Sequence, residues 1–314
     1  MTKPFVLAVS GATASGKSEL ALKLAQRLNG EIVCMDSMQI YRRMDIGTAK
    51  PTAQEQQMVP HHMLDIVEPT ENYAVADYVR DAETVIRGIL SRGRLPILTG
   101  GTGLYLKALM HGLNLGGAGS DEKLREKLNA LALEKDGKDQ LHAMLAKVDP
   151  ASAQKLHPND IRRVIRAIEV YELTGTPISQ QKQEEPDRPF RILPLAIDLP
   201  RPVLYERLEN RVHIMMVQGL LYEVASLLES GVTEQMQSMQ GIGYKELIPV
   251  IRYNASLNDA VWQMILNTRH YAKRQGTWLR TEPQTVWLHS SGEERISEAL
   301  EIIDRFESKG TIDK

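Results

Sequence analysis

The order of apolar and polar positions along the chain predicts alternating strands and helices. Short apolar runs at Phe5 to Ser10, Ile32 to Met35 and Leu95 to Thr99 have the length of buried strands. Apolar residues recur at helical spacing in Lys17 to Leu28 and Tyr73 to Leu90. Because strands that alternate with helices are typical of a parallel sheet, the pattern predicts an α/β fold.

The middle of the chain interrupts this alternation. From Ser120 to about Leu173 the charged sequence has helical spacing and no strand-like run, whereas Arg191 to Leu199 and Thr285 to Leu288 again predict strands. Glycines precede the helical stretch, and a polar, proline-containing segment follows it. We therefore expect a core of residues 1–116 and 190–314 with an all-helical insertion at 117–189.

Composition narrows the classes of protein that the chain can belong to. The 314 residues carry a formal net charge of −2, which excludes a globally basic nucleic-acid coat, so any RNA contact must come from local clusters. Cys34 is the only cysteine, which excludes internal disulfides and fits a reducing cytoplasm. The sequence has neither a charged-then-apolar leader nor an apolar run of about 18 residues, so we expect no signal peptide and no membrane span.

The segment Gly11-Ala12-Thr13-Ala14-Ser15-Gly16-Lys17-Ser18 fits the phosphate-loop pattern G-x-x-x-x-G-K-[ST]. It lies between a predicted strand and a predicted helix, so its backbone amides and the positive end of the helix dipole converge on one anion. Lys17 adds positive charge, and the hydroxyl of Ser18 is of the type that holds a magnesium ion. The segment therefore predicts a phosphate site in a P-loop NTPase-like parallel sheet.

Two further features follow predicted strands. Asp36 comes after the second strand, at the edge where open parallel sheets bind ligands, so it should point towards the phosphate loop. A helix N-cap aspartate is the alternative interpretation. Gly100-Gly101-Thr102-Gly103 follows the third strand and could bring Thr102 to the same crevice, although a plain tight turn is also possible.

The pair His61-His62 raises the question of a metal site. Adjacent histidines in a strand face opposite ways, and a helical metal pair needs i, i+4 spacing. We therefore prefer a structural role for both side chains and keep metal ligation as the alternative.

Cationic clusters supply candidate RNA contacts. Arg162, Arg163 and Arg166 lie beside an apolar helical stripe, and the alternative to a phosphate contact is a solvated helix face. The segment from Arg269 to Arg280 has no carboxylate and interleaves Tyr271 and Trp278 with its cations, as single-stranded nucleic acid binding requires. A predicted helix from Pro202 to Gln218 contains Arg207 and Arg211, where nucleotide-processing folds often carry a catalytic arginine.

Together these segments resemble the tRNA dimethylallyltransferases, which prenylate the adenosine beside the anticodon. The motifs that carry the resemblance are Gly11 to Ser18, Asp36 to Arg42, Gly100 to Tyr105, Asp160 to Val164, Ile242 to Glu246 and Lys273 to Arg280. The family usually has Gly-Pro-Thr where this chain has Gly11-Ala12-Thr13, and alanine is common at the position of Gly241. The sequence has no zinc-finger tail like that of eukaryotic members, so the resemblance is to the bacterial type.

The resemblance implies a reaction and a set of site residues. A dimethylallyl group passes from dimethylallyl diphosphate to N6 of adenosine at tRNA position 37, and diphosphate is released. Asp36 would accept the proton from N6 as the C–N bond forms. It would not take the proton earlier, because a carboxylate is too weak a base to deprotonate the free amine. Thr13, Lys17 and Arg211 would join it as catalytic groups, residues 11–18 would bind the diphosphate, and Ser18 would hold Mg²⁺.

The resemblance also implies an RNA interface and cellular context. The residues expected to contact tRNA are Asp36, Ser37, Met38, Gln39, Thr102, Arg125, Asp160, Ile161, Arg162, Arg163, Val164, Gly241, Ile242, Gly243, Tyr244, Lys245, Lys273, Arg274, Gln275, Gly276, Thr277, Trp278, Leu279 and Arg280. We expect a cytoplasmic protein, no membrane partner and, since nothing demands a dimer, a monomer.

Three other functions share parts of this pattern. A small-molecule kinase shares the phosphate loop and requires ATP as its donor. A nonenzymatic RNA-binding regulator would tolerate loss of the Asp36 carboxylate. A prenyltransferase that acts on free adenine nucleotides needs neither the helical insertion nor the basic segment from Lys273 to Arg280.

Overall fold

The computed structural model describes residues 3–112, 119–181 and 189–309, and the chain divides into two compact units. Unit 1 comprises Met1–His111 and Arg188–Lys314, and unit 2 comprises Gly112–Asp187. The insertion boundaries expected at 117 and 189 stay a prediction, because residue 117 lies outside the described residues.

In the described part of unit 1, six strands form one parallel sheet. The strands are β1 (Phe5–Gly11), β2 (Gly30–Cys34), β3 (His61–His62), β4 (Leu95–Thr99), β5 (Arg191–Ile197) and β6 (Val286–Leu288). Their order across the sheet is β3-β2-β4-β1-β5-β6, and each neighbouring pair is parallel. The predicted α/β fold with a parallel sheet is confirmed.

Helices cover both faces of the sheet. They are α1 (Lys17–Arg27), α2 (Ala53–Met58), α3 (Val75–Ser91), α4 (Gly103–His111), and, after unit 2, α9 (Arg201–Val217), α10 (Leu220–Glu229), α11 (Tyr244–Tyr253), α12 (Leu257–Thr281) and α13 (Gly292–Lys309). Successive residues of β1 alternate between the two layers: Val6 and Ala8 join one buried cluster, and Leu7 and Val9 join the other. The sheet is thus buried on both faces, as parallel sheets are.

Unit 2 is helical throughout its described residues. Its helices are α5 (Glu122–Leu133), α6 (Gly137–Val148), α7 (Pro150–Lys155) and α8 (Ile161–Thr174). Leu128, Leu145, Val164 and Ile168 are among the side chains that form its buried core. The helical periodicity predicted between Ser120 and Leu173 is confirmed, since apolar residues at that spacing face one another inside the unit.

Several elements were not predicted from the sequence. Strand β3 has only two residues, too few to show a period. No helix was predicted at the positions of α2, α10 or α12. Among the described residues, no single helix is long and apolar enough to cross a membrane. The bent pair formed by α9 and α10, with an angle of 57°, reaches that length and composition only when the two are taken together.

Candidate active site

Three loops meet at the carboxyl edge of the sheet because their strands are neighbours. The central strands lie in the order β2, β4, β1. Asp36 follows β2, the turn Gly100–Gly103 follows β4, and the phosphate loop follows β1. The topology therefore brings the predicted carboxylate, the second glycine turn and the anion-binding loop to one place.

The phosphate loop has the shape that its sequence demands. Ser15 N–H donates to the carbonyl of Ala12 over 3.1 Å, which closes the loop, and α1 begins at Lys17. Gly16 has φ +93°, a left-handed conformation that favours glycine, and it directs the first amides of α1 towards the crevice. The backbone of the phosphate loop therefore has the conformation that anion binding requires.

Asp36 lines a cavity of about 70 Å³ together with Thr13, Lys17, Ser18 and Arg211. Its Oδ1 atom accepts a hydrogen bond from Met38 N–H over 2.9 Å, so the side chain also caps the turn that follows β2. Its Oδ2 atom accepts no hydrogen bond within the described residues. One carboxylate oxygen is therefore held by the backbone while the other is open to the cavity.

Lys17 and Arg211 give this cavity a positive charge that no described carboxylate pairs with at salt-bridge distance. Burial, assisted by the charge of Arg211 and opposed by that of Asp36, lowers the pKa of Lys17 to about 8. Burial also lowers the pKa of the Arg211 guanidinium, again against the effect of Asp36. Two partly desolvated cations side by side repel each other, so this arrangement favours an anionic ligand.

The donors around Ser18 suit a magnesium ion that arrives with a phosphate ligand. The Ser18 hydroxyl lines the cavity and forms no hydrogen bond within the described residues. No group of three or more His, Cys, Asp or Glu side chains in the described chain could hold a metal by itself. Because Mg²⁺ is usually held by few protein ligands, water and substrate phosphates, one serine hydroxyl and a diphosphate fit its requirements.

A second cavity of about 420 Å³ lies next to the first and shares Gly100, Tyr271 and Gln275 with it. Trp278 contributes an aromatic face, and Ser37 lines the same cavity. Its volume lies within the range of small-molecule sites. A compartment with an aromatic wall thus lies next to one that is lined by Lys17 and Arg211.

The turn Gly100–Gly103 needs its glycines for close packing. A Cβ atom on Gly100 would collide with the Met35 carbonyl, and one on Gly103 would lie 2.6 Å from the Trp278 ring. Thr102 lies in this turn, where its Oγ1 accepts a hydrogen bond from Ser37 N–H over 2.9 Å. The glycine turn is therefore part of the crevice, and Thr102 contacts the Asp36 loop.

Helix α12 sorts the basic segment from Lys273 to Arg280 by face. Lys273, Arg274, Thr277 and Arg280 are exposed, although Arg280 also lies 3.9 Å from Asp198. Leu279 is buried, and Gly276 and Trp278 are half-buried. Gln275 is only 7% exposed. A buried side chain has little surface to offer RNA, so for Gln275 the geometry favours a role inside the site.

The segment Gly241-Ile242-Gly243-Tyr244-Lys245 lies at the start of α11, and most of it faces inwards. Gly241, Gly243 and Tyr244 are buried, and the Tyr244 hydroxyl donates to Glu223 over 2.6 Å. Lys245 is exposed and Ile242 half-buried. The predicted tRNA contact of this segment stays a prediction, and the side chain best placed for it is Lys245.

Met38 and Gln39 complete the loop after Asp36. Gln39 Nε2 donates to the carbonyls of Thr48 and Ala49 over 3.0 and 3.2 Å, and Gln39 Oε1 accepts from the Cys34 thiol. Burial raises the pKa of that thiol, which keeps it protonated. Cys34 is thus a packed wall residue of the cavity and not a nucleophile.

In unit 2, the predicted RNA-binding residues divide into paired and unpaired cations. Arg125 lies 2.8 Å from the buried carboxylate of Glu169, and Arg166 lies 2.6 Å from it. Burial would raise the pKa of Glu169, but the hydrogen bonds from these arginines hold it below its usual value. Arg125 therefore neutralises a core carboxylate, a partnership across 44 residues that sequence spacing could not indicate.

The other predicted residues of unit 2 lie around the start of α8. Arg162 and Arg163 are exposed, and Arg163 pairs with Asp160 at 3.3 Å. Ile161 is half-buried, and Val164 is completely buried in the core. Of this set, Arg162 offers the least encumbered positive charge.

The histidine pair has structural partners on both sides of β3. His62 Nε2 lies 2.6 Å from Glu31, whose carboxylate also binds Arg92 and Arg94. His61 Nδ1 lies 2.8 Å from the Val59 carbonyl, and this residue also lines the Asp36 cavity. The place of His61 in the cavity wall was not predicted, because a two-residue edge strand gives no periodic signal in the sequence.

The fold and the site define an α/β phosphate-loop protein in which the Asp36 carboxylate shares a cavity with the cations Lys17 and Arg211. A family model described as IPP transferase matches residues 39–282, and one described as isopentenyl transferase matches residues 4–70. The chain therefore belongs to the IPP transferase family of prenyl-transferring enzymes. The resemblance predicted from the motifs is confirmed.

Individual relatives and solved structures agree with this assignment. The chain is 50% identical over 288 residues to tRNA dimethylallyltransferase 1 of Trichlorobacter lovleyi, covering 91% of this chain and 94% of the relative. It is similar to the crystal structure of the full-length tRNA isopentenylpyrophosphate transferase of Bacillus halodurans, with TM-score 0.72, 41% identity and 96% of each chain covered. It is also similar to a eukaryotic dimethylallyltransferase acting on tRNA, with TM-score 0.82, 31% identity, and 99% of this chain and 81% of that chain covered.

Proposed function

We propose that the protein transfers a dimethylallyl group from dimethylallyl diphosphate to N6 of adenosine at position 37 of tRNA. The observation that carries the proposal is that Asp36 and the two unpaired cations, Lys17 and Arg211, line one cavity. The phosphate-loop amides, Lys17 and Arg211 would bind the diphosphate. Magnesium at Ser18, when bound, would neutralise part of its charge.

The charge arrangement suits the departure of a diphosphate. N6 attacks the allylic carbon, the C–O bond to the diphosphate breaks, and the proton released from N6 passes to Asp36. Negative charge on the leaving group grows as that bond breaks, so cations already aimed at it stabilise the transition state more than the ground state. The open Oδ2 atom of Asp36 is available for the proton.

The adenine base would occupy the larger cavity after leaving the anticodon-loop stack. Extruding a base costs a few kcal/mol, least where it is already unpaired, and an aromatic face such as that of Trp278 offsets part of the loss of stacking. Exposed cations at Arg162 and Lys273 would contact the phosphate backbone of the anticodon stem-loop.

The test is incubation with labelled dimethylallyl diphosphate, Mg²⁺ and an anticodon stem-loop that carries adenosine at position 37, without ATP. We expect label on N6 and one diphosphate released per transfer. A matched stem-loop with guanosine at that position is the control and should stay unlabelled. Phosphate transfer that requires ATP, with no prenylation, would instead support a kinase.

A further inference from the structure

Helix α12 presents three side chains to the glycine turn at the centre of the site. Tyr271, Gln275 and Trp278 recur at i, i+4 and i+7, which places them on one helix face. A Cβ atom on Gly101 would collide with Gln275 Nε2, so helix and turn are in close contact. Gln275 lies in the middle of this face and is the most deeply buried of the segment's polar residues.

Both polar atoms of the Gln275 side chain are occupied by backbone groups of two different loops. Thr13 N–H in the phosphate loop donates to Gln275 Oε1 over 2.8 Å. Gln275 Nε2 donates to the Gly101 carbonyl over 2.8 Å, and the Tyr271 hydroxyl donates to the same carbonyl over 3.2 Å. One side chain thereby joins the anion-binding loop to the glycine turn.

The connection continues from the glycine turn to Asp36. Thr102, next to Gly101, accepts a hydrogen bond from Ser37 N–H over 2.9 Å and donates to Ser37 Oγ over 3.2 Å. Ser37 directly follows Asp36 in the chain. A continuous set of short contacts therefore runs from Thr13 through Gln275 and Thr102 to the residue beside the carboxylate.

We propose that Gln275 is a positioning residue that fixes the phosphate loop relative to Asp36. The inference rests on the proposed function, in which the loop holds the leaving group and Asp36 takes the proton. A displacement of about 1 Å between reacting groups can cost a factor of about 100 in rate. Gln275 lines both cavities, but its two polar side-chain atoms are occupied by Thr13 and Gly101, so it acts through the two loops that it joins.

The test compares Gln275→Met and Gln275→Glu with wild type in single-turnover prenyl transfer at saturating substrates. The methionine variant keeps the volume but loses both hydrogen bonds, so the rate should fall about 10- to 100-fold. Stem-loop affinity should stay within about twofold of wild type, because the side chain is buried. Gln263→Met is the matched control, since Gln263 is an exposed residue of the same helix whose hydrogen bond joins only Asn267.

The glutamate variant supplies a readout that loss of structure alone would not give. The introduced carboxylate can accept from Thr13 N–H, but it can donate to the Gly101 carbonyl only when protonated. The ratio of its rate to the wild-type rate should therefore rise as the pH falls from 8 to 6, whereas the same ratio for Gln275→Met should stay flat.

Hydrogen exchange at the Thr13 amide tests the contact independently of catalysis. We expect faster exchange there in Gln275→Met, while amides of the sheet core report any general loss of stability. A methionine variant that transfers within about twofold of wild type, or that loses stem-loop affinity instead of rate, would overturn the proposal. If wild type itself transfers no prenyl group, the proposed function fails, and the exchange result still decides whether Gln275 holds the loop.

Discussion

At the residue scale, the site contains two buried cations, although burial disfavours their charged forms. Lys17 and Arg211 lie in the cavity without a carboxylate at salt-bridge distance among the described residues, and the charge of Asp36 opposes the lowering of both pKa values. Such an arrangement costs stability in the free protein and is relieved by an anionic ligand. The sequence predicted Lys17 and Asp36 at one edge of the sheet, because a loop motif and a strand end define backbone positions, whereas Arg211 was expected there only from the family resemblance. It could not predict that their charges are unpaired.

Lys17 should make both stability and donor binding depend on pH. Its pKa of about 8 in the folded state lies below the ordinary 10.5, so the unfolded chain holds more protons between these values. The free energy of unfolding should therefore rise with pH in that window, by about 3 kcal/mol in full. The measurement is denaturant unfolding of wild type and of Lys17→Met at pH 7 to 10. The difference between their free energies of unfolding cancels the contributions of other titrating groups. Parallel curves for the two proteins would contradict this assignment.

Protonation of Lys17 should also control the affinity for diphosphate. Because neutral Lys17 attracts an anion less, affinity of the free protein for inorganic diphosphate should fall as the pH rises above 8. Calorimetric titration at pH 7 and 9 measures this change, and Lys17→Met should bind more weakly and with little pH dependence over that range.

Arg211→Ala should reduce kcat/KM for the prenyl donor about 10- to 100-fold, because it removes one charge-assisted contact to the diphosphate. Stem-loop affinity should stay within about twofold of wild type. Arg207→Ala, one turn earlier on α9 and exposed, is the control. Loss of RNA affinity in Arg211→Ala would assign the arginine to the other substrate.

At the scale of elements, the loop that walls the cavity is held from outside by two helices. Glu223 of α10 accepts hydrogen bonds from the N–H groups of Asp45, Ile46 and Gly47 over 2.9, 2.7 and 3.1 Å, and from the Tyr244 hydroxyl of α11. A Cβ on Gly47 would lie 2.6 Å from the Tyr244 ring. The glycine-tyrosine motif at the start of α11 thus supports the loop that carries the cavity residues Thr48 and Ala49.

Glu223→Ala should lower the free energy of unfolding by about 1–3 kcal/mol, because three backbone donors lose their acceptor. KM for the donor should rise as the wall at Thr48 and Ala49 loosens. Tyr244→Phe, which removes one hydrogen bond, should cost about 1 kcal/mol. Denaturant unfolding and hydrogen exchange at residues 45–47 measure these effects. Glu229 is an exposed residue of the same helix, so Glu229→Ala is the control variant. Equal exchange at residues 45–47 in Glu223→Ala and Glu229→Ala would show that Glu223 does not hold the loop.

Strands and helices were predicted correctly where the apolar periodicity extends over enough residues. The prediction failed where contacts with distant segments determine the structure. The strand Leu95–Thr99 was predicted to the residue, and α1 to within one residue. Strand β3 has two residues and exists because β2 offers it a partner. The basic segment on α12 was predicted as one surface, yet its register turns Gln275 and Leu279 inwards, because the glycine turn, distant in sequence, packs against that face.

At the scale of the whole molecule, RNA affinity depends on which cations are already used. Arg125 and Arg166 are paired with Glu169, whereas Arg162 and Lys273 are exposed and lie within salt-bridge distance of no carboxylate among the described residues. The sequence placed Arg125, Arg162 and Lys273 in one RNA-binding set, since pairing across dozens of residues is visible only in the fold. The net charge of −2 makes such local clusters decisive.

Arg162→Ala and Lys273→Ala should each weaken stem-loop binding and reduce the salt slope of log affinity by about 1, because each removes one phosphate contact. Arg125→Ala should instead destabilise unit 2 by on the order of 2 kcal/mol, because Glu169 loses a partner. Binding from 50 to 200 mM salt, together with thermal unfolding, separates the two effects. An unchanged salt slope in Arg162→Ala and Lys273→Ala would exclude these two cations from the interface.

The most direct test of the proposed chemistry is the single-turnover rate of prenyl transfer by Asp36→Asn. The asparagine Oδ1 can still accept from Met38 N–H, so the loop keeps its cap and only the proton acceptor is lost. We expect unchanged binding of diphosphate and stem-loop and a transfer rate lower by a factor on the order of 100 or more. A variant that transfers the prenyl group within about twofold of the wild-type rate would contradict the role of Asp36 as the base.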